Sequence, residues 1–71
     1  MMEYDNSAMS EAIAERIHNA MHREILRLRL IDGLTYEQIA ERVDRTPRQI
    51  GRIMAKETPR LHDWMLRRKM S

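Results

Sequence analysis

The sequence predicts a small all-α domain, and three observations carry that prediction. Apolar residues from Met9 to Leu28 recur every three or four positions with no intervening Pro or Gly, the spacing that lines them along one side of a helix. Further on, Thr35, Thr46 and Thr58 each stand just ahead of a segment with helical spacing, where a helix N-cap belongs. No β-strand pattern appears along the chain. Seventy-one residues allow one domain near the lower limit of independent stability.

The elements follow in order. Residues 1–7 are polar and aperiodic and read as a frayed terminus, leaving residues 8–71 as a single helical domain. Met9, Ile13, Ile17, Met21, Ile25 and Leu28 mark a helix from about residue 8 to 31. One long, bent helix is the favoured reading, and a break near His18-Asn19 is the alternative. Asp32-Gly33 supplies the stop, because Gly takes the left-handed conformation that ends helices. Thr35 with Gln38 three residues later makes a capping box and opens a short helix over about 36–43. Asp44-Arg45 makes the turn. Thr46, Pro47 and Gln49 then supply a cap, a first-turn proline and a second capping box for a helix reaching about Lys56. Thr58-Pro59 repeats the cap-then-proline pattern and predicts a short last helix to about Lys69. The expected fold is therefore a long N-terminal helix, a helix-turn-helix at about 36–56, and a short C-terminal helix.

Composition excludes several classes of function. Cysteine is absent, which leaves no disulfide or thiolate metal site and fits a reducing compartment. No apolar run approaches the roughly 20 residues that cross a bilayer, and no secretory signal pattern opens the chain, so the expectation is a soluble cytoplasmic protein with no membrane partner. His18 and His22 stand four apart, as zinc-binding pairs do, but Asn19 replaces the Glu a metalloprotease needs and no third ligand is evident. They read as ordinary exposed histidines, with no metal and no cofactor. The serines lie near the termini without a base and orienting group at useful spacing. The chain is expected not to be an enzyme.

Charge points toward a partner. The formal net charge is +2, yet residues 1–44 hold five Lys/Arg against nine Asp/Glu, and residues 45–71 hold eight against two. A basic C-terminal half is the electrostatic footprint of a nucleic-acid binder, although solvated helix faces give similar counts. Ile39, Ala40 and Val43 on the first short helix and Ile50 and Ile53 on the second can pack across the turn, with small Ala40 at the closest approach. Ile25, Leu28, Leu34, Leu61 and Trp64 can close the core. That packing turns Arg48, Gln49, Arg52 and Lys56 outward on a helix narrow enough for the major groove. There Arg can grip guanine and Gln can pair with adenine, while Thr46 and the helix N-terminus suit a phosphate oxygen.

Residues 23–61, REILRLRLIDGLTYEQIAERVDRTPRQIGRIMAKETPRL, resemble region 4 of bacterial sigma factors and their relatives. The resemblance lies in Leu28-Arg29-Leu30, in Asp32-Gly-Leu-Thr-Tyr-Glu-Gln-Ile-Ala40, in the Thr-led second helix and in Ile50. It covers a little over half the chain. It implies a DNA-binding transcription regulator whose second helix enters the major groove of double-stranded DNA. By position, Arg48, Gln49 and Arg52 become the base readers, with Arg45, Thr46 and Lys56 nearer the backbone. The family's turn carries Gly followed by an apolar residue, whereas this chain has Asp44-Arg45, which loses a core contact and adds a charge at the DNA-proximal corner. Gly51 also interrupts the reading helix, where it costs about 1 kcal/mol relative to Ala. The size suggests a free-standing regulator of the kind that phages and mobile elements encode, rather than a sigma factor in its own right.

Two surfaces keep alternatives open. Met9, Ile13, Ile17 and Met21 form a stripe that needs cover, which a homodimer or another partner could supply and packing against the last helix could supply as well. The last segment, with Leu61, Trp64, Met65 and Leu66 on one face and Arg67-Arg68-Lys69 at its end, reads as a helix docked by its Trp; phosphate contacts or an amphipathic face offered to a protein or membrane are the functional versions. The competing function is a protein-interaction module that binds RNA polymerase or another regulator and alters transcription without reading bases.

Overall fold

The computed structural model describes residues 6–70, and side chains over residues 7–67. Four helices account for most of them: α1 (Asn6–Arg16), α2 (Ala20–Leu30), α3 (Tyr36–Val43) and α4 (Pro47–Met70). The domain is all-α. Of the expected frayed stretch, residues 1–5 lie outside the described residues, while Asn6 and Ser7 belong to α1.

The helix lengths reverse the sequence expectation. The predicted long N-terminal helix is two 11-residue helices separated by residues 17–19. Asn19 caps the second, its side-chain oxygen accepting from the His22 backbone N–H at 3.1 Å. The break lets α1 fold back along α2, so that Ser10 and Ala14 share one hollow with Ile31 beyond the far end of α2. A straight helix would have carried Ile13 and Ile17 away from Ile25 and Leu28; folded back, all four are buried in one core.

The C-terminal half shows the opposite correction. The two helices expected either side of Thr58 are one helix of 24 residues, with Pro59 inside it. Pro59 has no N–H for the Ala55 carbonyl, a loss that usually ends a helix. Here a stripe of Ile50, Met54, Glu57, Leu61 and Met65 is buried across the proline. Those spacings of three and four keep the stripe on one face, and α4 packs that face against α1, α2 and α3. At 1.5 Å per residue α4 is about 36 Å long, nearly the 38 Å longest extent of the molecule. It is the spine on which the three shorter helices sit.

The local signals around α3 appear as expected. Gly33 adopts φ +76° at the end of α2, and the Leu34 N–H donates back to the Leu28 carbonyl at 2.9 Å. Arg29 braces this corner, its Nη1 donating to the Leu34 carbonyl at 2.9 Å while its guanidinium carbon lies 5.0 Å from the centre of the Tyr36 ring. The Thr35–Gln38 capping box is complete: Thr35 Oγ1 accepts from the Gln38 N–H at 3.1 Å, and Gln38 Oε1 accepts from the Thr35 N–H at 2.8 Å.

Candidate nucleic-acid interface

The turn between α3 and α4 works without the usual glycine. Asp44 takes the left-handed conformation, φ 58° and ψ 50°, which Asp tolerates better than most side chains. The N–H groups of Asp44 and Arg45 both donate to the Ala40 carbonyl, closing the end of α3 as a Schellman-type cap does. The helix, three-residue turn and helix are compatible with a helix-turn-helix. Ile39 and Ile50 are fully buried and Ala40 nearly so, while Val43 and Ile53 pack partly buried against that core.

All six expected contact residues, Arg45, Thr46, Arg48, Gln49, Arg52 and Lys56, are exposed. Residues 48, 52 and 56 are four apart, so they form one slowly drifting row on α4, opposite buried Ile50 and Met54. Between Pro47 and Thr58 the only acidic residue is Glu57, and it is buried. The exposed side of this half of α4 therefore presents cations alone among its charged groups. At the N-terminal end the surface changes sign, where Glu37, Glu41 and Asp44 share a hollow with Arg45 and Pro47. Farther along, Asp63 pairs with Arg67 at 3.2 Å, so that stretch is locally neutralised. Arg68 and Lys69, the rest of the expected basic end, have side chains outside the described residues.

Three of the six are already engaged locally. Thr46 Oγ1 accepts from the Gln49 N–H at 3.2 Å, and Gln49 Oε1 accepts from the Thr46 N–H at 3.0 Å and from its hydroxyl at 3.3 Å. The capping box thus occupies the carbonyl oxygen that a bidentate Gln–adenine contact would use. With the box closed, Gln49 keeps only its amide NH₂ free for a base or phosphate. Arg45 donates from Nη1 to the Asp44 carbonyl at 3.2 Å and remains exposed. Gly51 faces Tyr36, and a Cβ built on it would meet the ring at 3.7 Å, ordinary contact. The fold does not require glycine there.

The N-terminal stripe is not an open surface. Ile13 and Ile17 are fully buried within the chain, and Met9 and Met21 pack partly buried against the same core. The reason is the break at residues 17–19 together with the length of α4, which brings α4 against α1. The chain itself covers Ile13 and Ile17 fully and Met9 and Met21 in part.

The histidines separate. His18 is exposed, but the His22 side chain is only 14% exposed and its Nδ1 lies 2.6 Å from Glu57 Oε2. This pair ties α2 to α4 just past the row of cations. Glu57 Oε1 has no hydrogen bond; Arg60 Nε lies 3.6 Å from it. Reading His22 as an ordinary exposed residue therefore fails, because Glu57, 35 residues away, is its partner. One signal was present: position 57 falls in register with the apolar stripe of α4. Among the described residues, no three His, Asp or Glu side chains gather as a metal site would need, and no helix is long and apolar enough to cross a membrane. The chain matches no protein-family model, no curated protein and no solved structure.

Proposed function

We propose that this chain is a DNA-binding regulator of transcription, cytoplasmic, with the first half of α4 entering the major groove of duplex DNA. One observation carries the reading: Arg48, Arg52 and Lys56 form an exposed row on the helix after the turn, and the acid nearest them in sequence, Glu57, is buried. A uniformly cationic helix face suits a duplex that carries a negative charge every ~1.7 Å of its axis. Arg48 and Arg52 are the base readers, since a guanidinium can grip guanine O6 and N7 together. Lys56 and Arg45 are backbone contacts, which position the helix without reading sequence. Gln49 contributes a single donated hydrogen bond as long as its capping box holds.

Fluorescence anisotropy with duplexes selected from a random pool tests this, read across a salt series. Affinity should fall steeply with salt, and Lys56→Ala should lower the slope by about one, the change expected when one phosphate contact is lost. Arg52→Ala should relax the preference at one base pair. Absence of binding to any duplex at low salt would remove the proposal.

A second reading has its own support. The carboxylates of Glu37, Glu41 and Asp44 flank the start of α4, where they would repel a phosphate backbone and suit a basic protein surface. In that case α3 and the turn dock on RNA polymerase or another regulator. Binding to such a partner would be lost in Glu41→Lys and retained when Arg48 and Arg52 are both changed to Ala, the reverse of the DNA pattern.

A further inference from the structure

Beside the cationic row lies a hollow of about 220 Å³ between α2 and α4, lined by Met21, Arg45, Gln49, Arg52 and Ile53. Met21 and Ile53 are partly buried and continuous with the core, so they give it an apolar floor. Arg45, Gln49 and Arg52 are exposed around it. Its lining contains no carboxylate. Three other hollows on the surface do: one has Asp32 and Glu41, a second has Glu11, and the third has Glu37, Glu41 and Asp44. An apolar floor within a cationic rim fits an apolar knob carried on a polyanion. In the major groove that knob is the C5-methyl group of thymine, the one apolar group that base edges present there.

We infer that this hollow receives a thymine methyl, which makes Ile53 and Met21 specificity-determining residues. The inference rests on the proposed DNA reading. Ile53 follows Arg52 directly in α4, so the thymine lies within a base pair or two of the base that Arg52 grips. The hollow then adds a van der Waals preference for thymine to the hydrogen-bonded preference for guanine. Neither residue appears among the polar contacts expected of the reading helix, because neither is charged and both look like core.

The test uses the unaltered protein and changes only the DNA. A duplex is selected from a random pool, and the base pair read by Arg52 is located as the one whose preference relaxes in Arg52→Ala. Each thymine is then replaced in turn by deoxyuridine, which removes the methyl and leaves phosphates and base pairing intact. Affinity should fall roughly three- to tenfold at a thymine within two base pairs of the Arg52 position, the scale of one methyl buried against apolar surface. Deoxyuridine elsewhere should change it less than twofold. In Ile53→Ala, or Met21→Ala should the first not fold, the difference between thymine and deoxyuridine at the sensitive position should shrink toward one. A selected duplex that binds equally well with every thymine replaced overturns the inference while leaving DNA reading intact. An acidic peptide with an apolar side chain as the true occupant would give that same flat result. Failure to select any duplex overturns the DNA reading, and the inference with it.

Discussion

Two Thr-Pro dipeptides lie on the C-terminal half of this chain, and the molecule treats them in opposite ways. Thr46-Pro47 starts α4, whereas Thr58-Pro59 is passed through by the same helix. At the first, Gln49 stands three residues beyond the threonine and closes a capping box. At the second the equivalent residue is Leu61, which cannot accept a hydrogen bond and is buried instead. Pro47 also occupies a first helical position, where its missing N–H costs nothing. Pro59 sits in the interior and forfeits a bond, offset by the buried stripe on both sides of it. In this chain Thr-Pro starts a helix where its third residue completes the cap and no apolar stripe runs across it.

Changing that stripe should produce the largest effect. Leu61→Ala removes a nearly buried side chain just past the proline and should cost about 2–5 kcal/mol in denaturant unfolding. It should also reduce the helical circular dichroism of the C-terminal segment, because burial is what carries the helix past Pro59. A loss under about 1 kcal/mol would mean that something other than this packing joins the two halves.

The prolines themselves give a smaller contrast. Pro59→Ala restores an interior N–H and should stabilise by about 1–2 kcal/mol, the interior penalty of proline less its benefit in the unfolded chain. Pro47→Ala should be neutral or mildly destabilising, by about 0.5–1 kcal/mol at most, since only the unfolded-state benefit is lost. Equal effects at the two sites, measured by thermal melts, would contradict the distinction drawn between them.

The smallest test compares the caps. Thr46→Ala opens a formed capping box and should cost about 1 kcal/mol. Thr58→Ala should change stability by less than about 0.5 kcal/mol, as expected of an exposed substitution away from any cap. Chemical denaturation resolves the pair if both are measured under one set of conditions. Thr46→Ala also frees the Gln49 carbonyl oxygen, so any adenine preference under Gln49 should appear or strengthen in that variant.

The same contrast between local and distant forces decides how much of the candidate interface was legible. The exposed row of Arg48, Arg52 and Lys56 followed from helical period and from the apolar positions opposite. The closure of Gln49 was also in the sequence, because the motif that starts the helix uses the side chain assigned to reading a base. One residue cannot fill both roles at once. The hollow floored by Met21 and Ile53 was not legible, since its two apolar residues come from helices 32 positions apart. Nor was the His22–Glu57 pair, although a glutamate in register with Ile50, Met54, Leu61 and Met65 signalled that a partner had to be found for it.

By itself the sequence determined what is decided within four residues: the all-α class, the stop at Gly33, the capping boxes at Thr35 and Thr46, and the left-handed turn at Asp44. These rest on hydrogen bonds and dihedral preferences that neighbouring residues supply to one another. Only the tertiary structure decided between one bent N-terminal helix and two separate ones, that α4 continues through Pro59, that Ile13 and Ile17 are covered within the chain, and that His22 meets Glu57. Each of those outcomes turns on which apolar surface covers which. Burial free energy depends on the whole packed arrangement, and it outweighs a local signal wherever the stripe it covers is long enough.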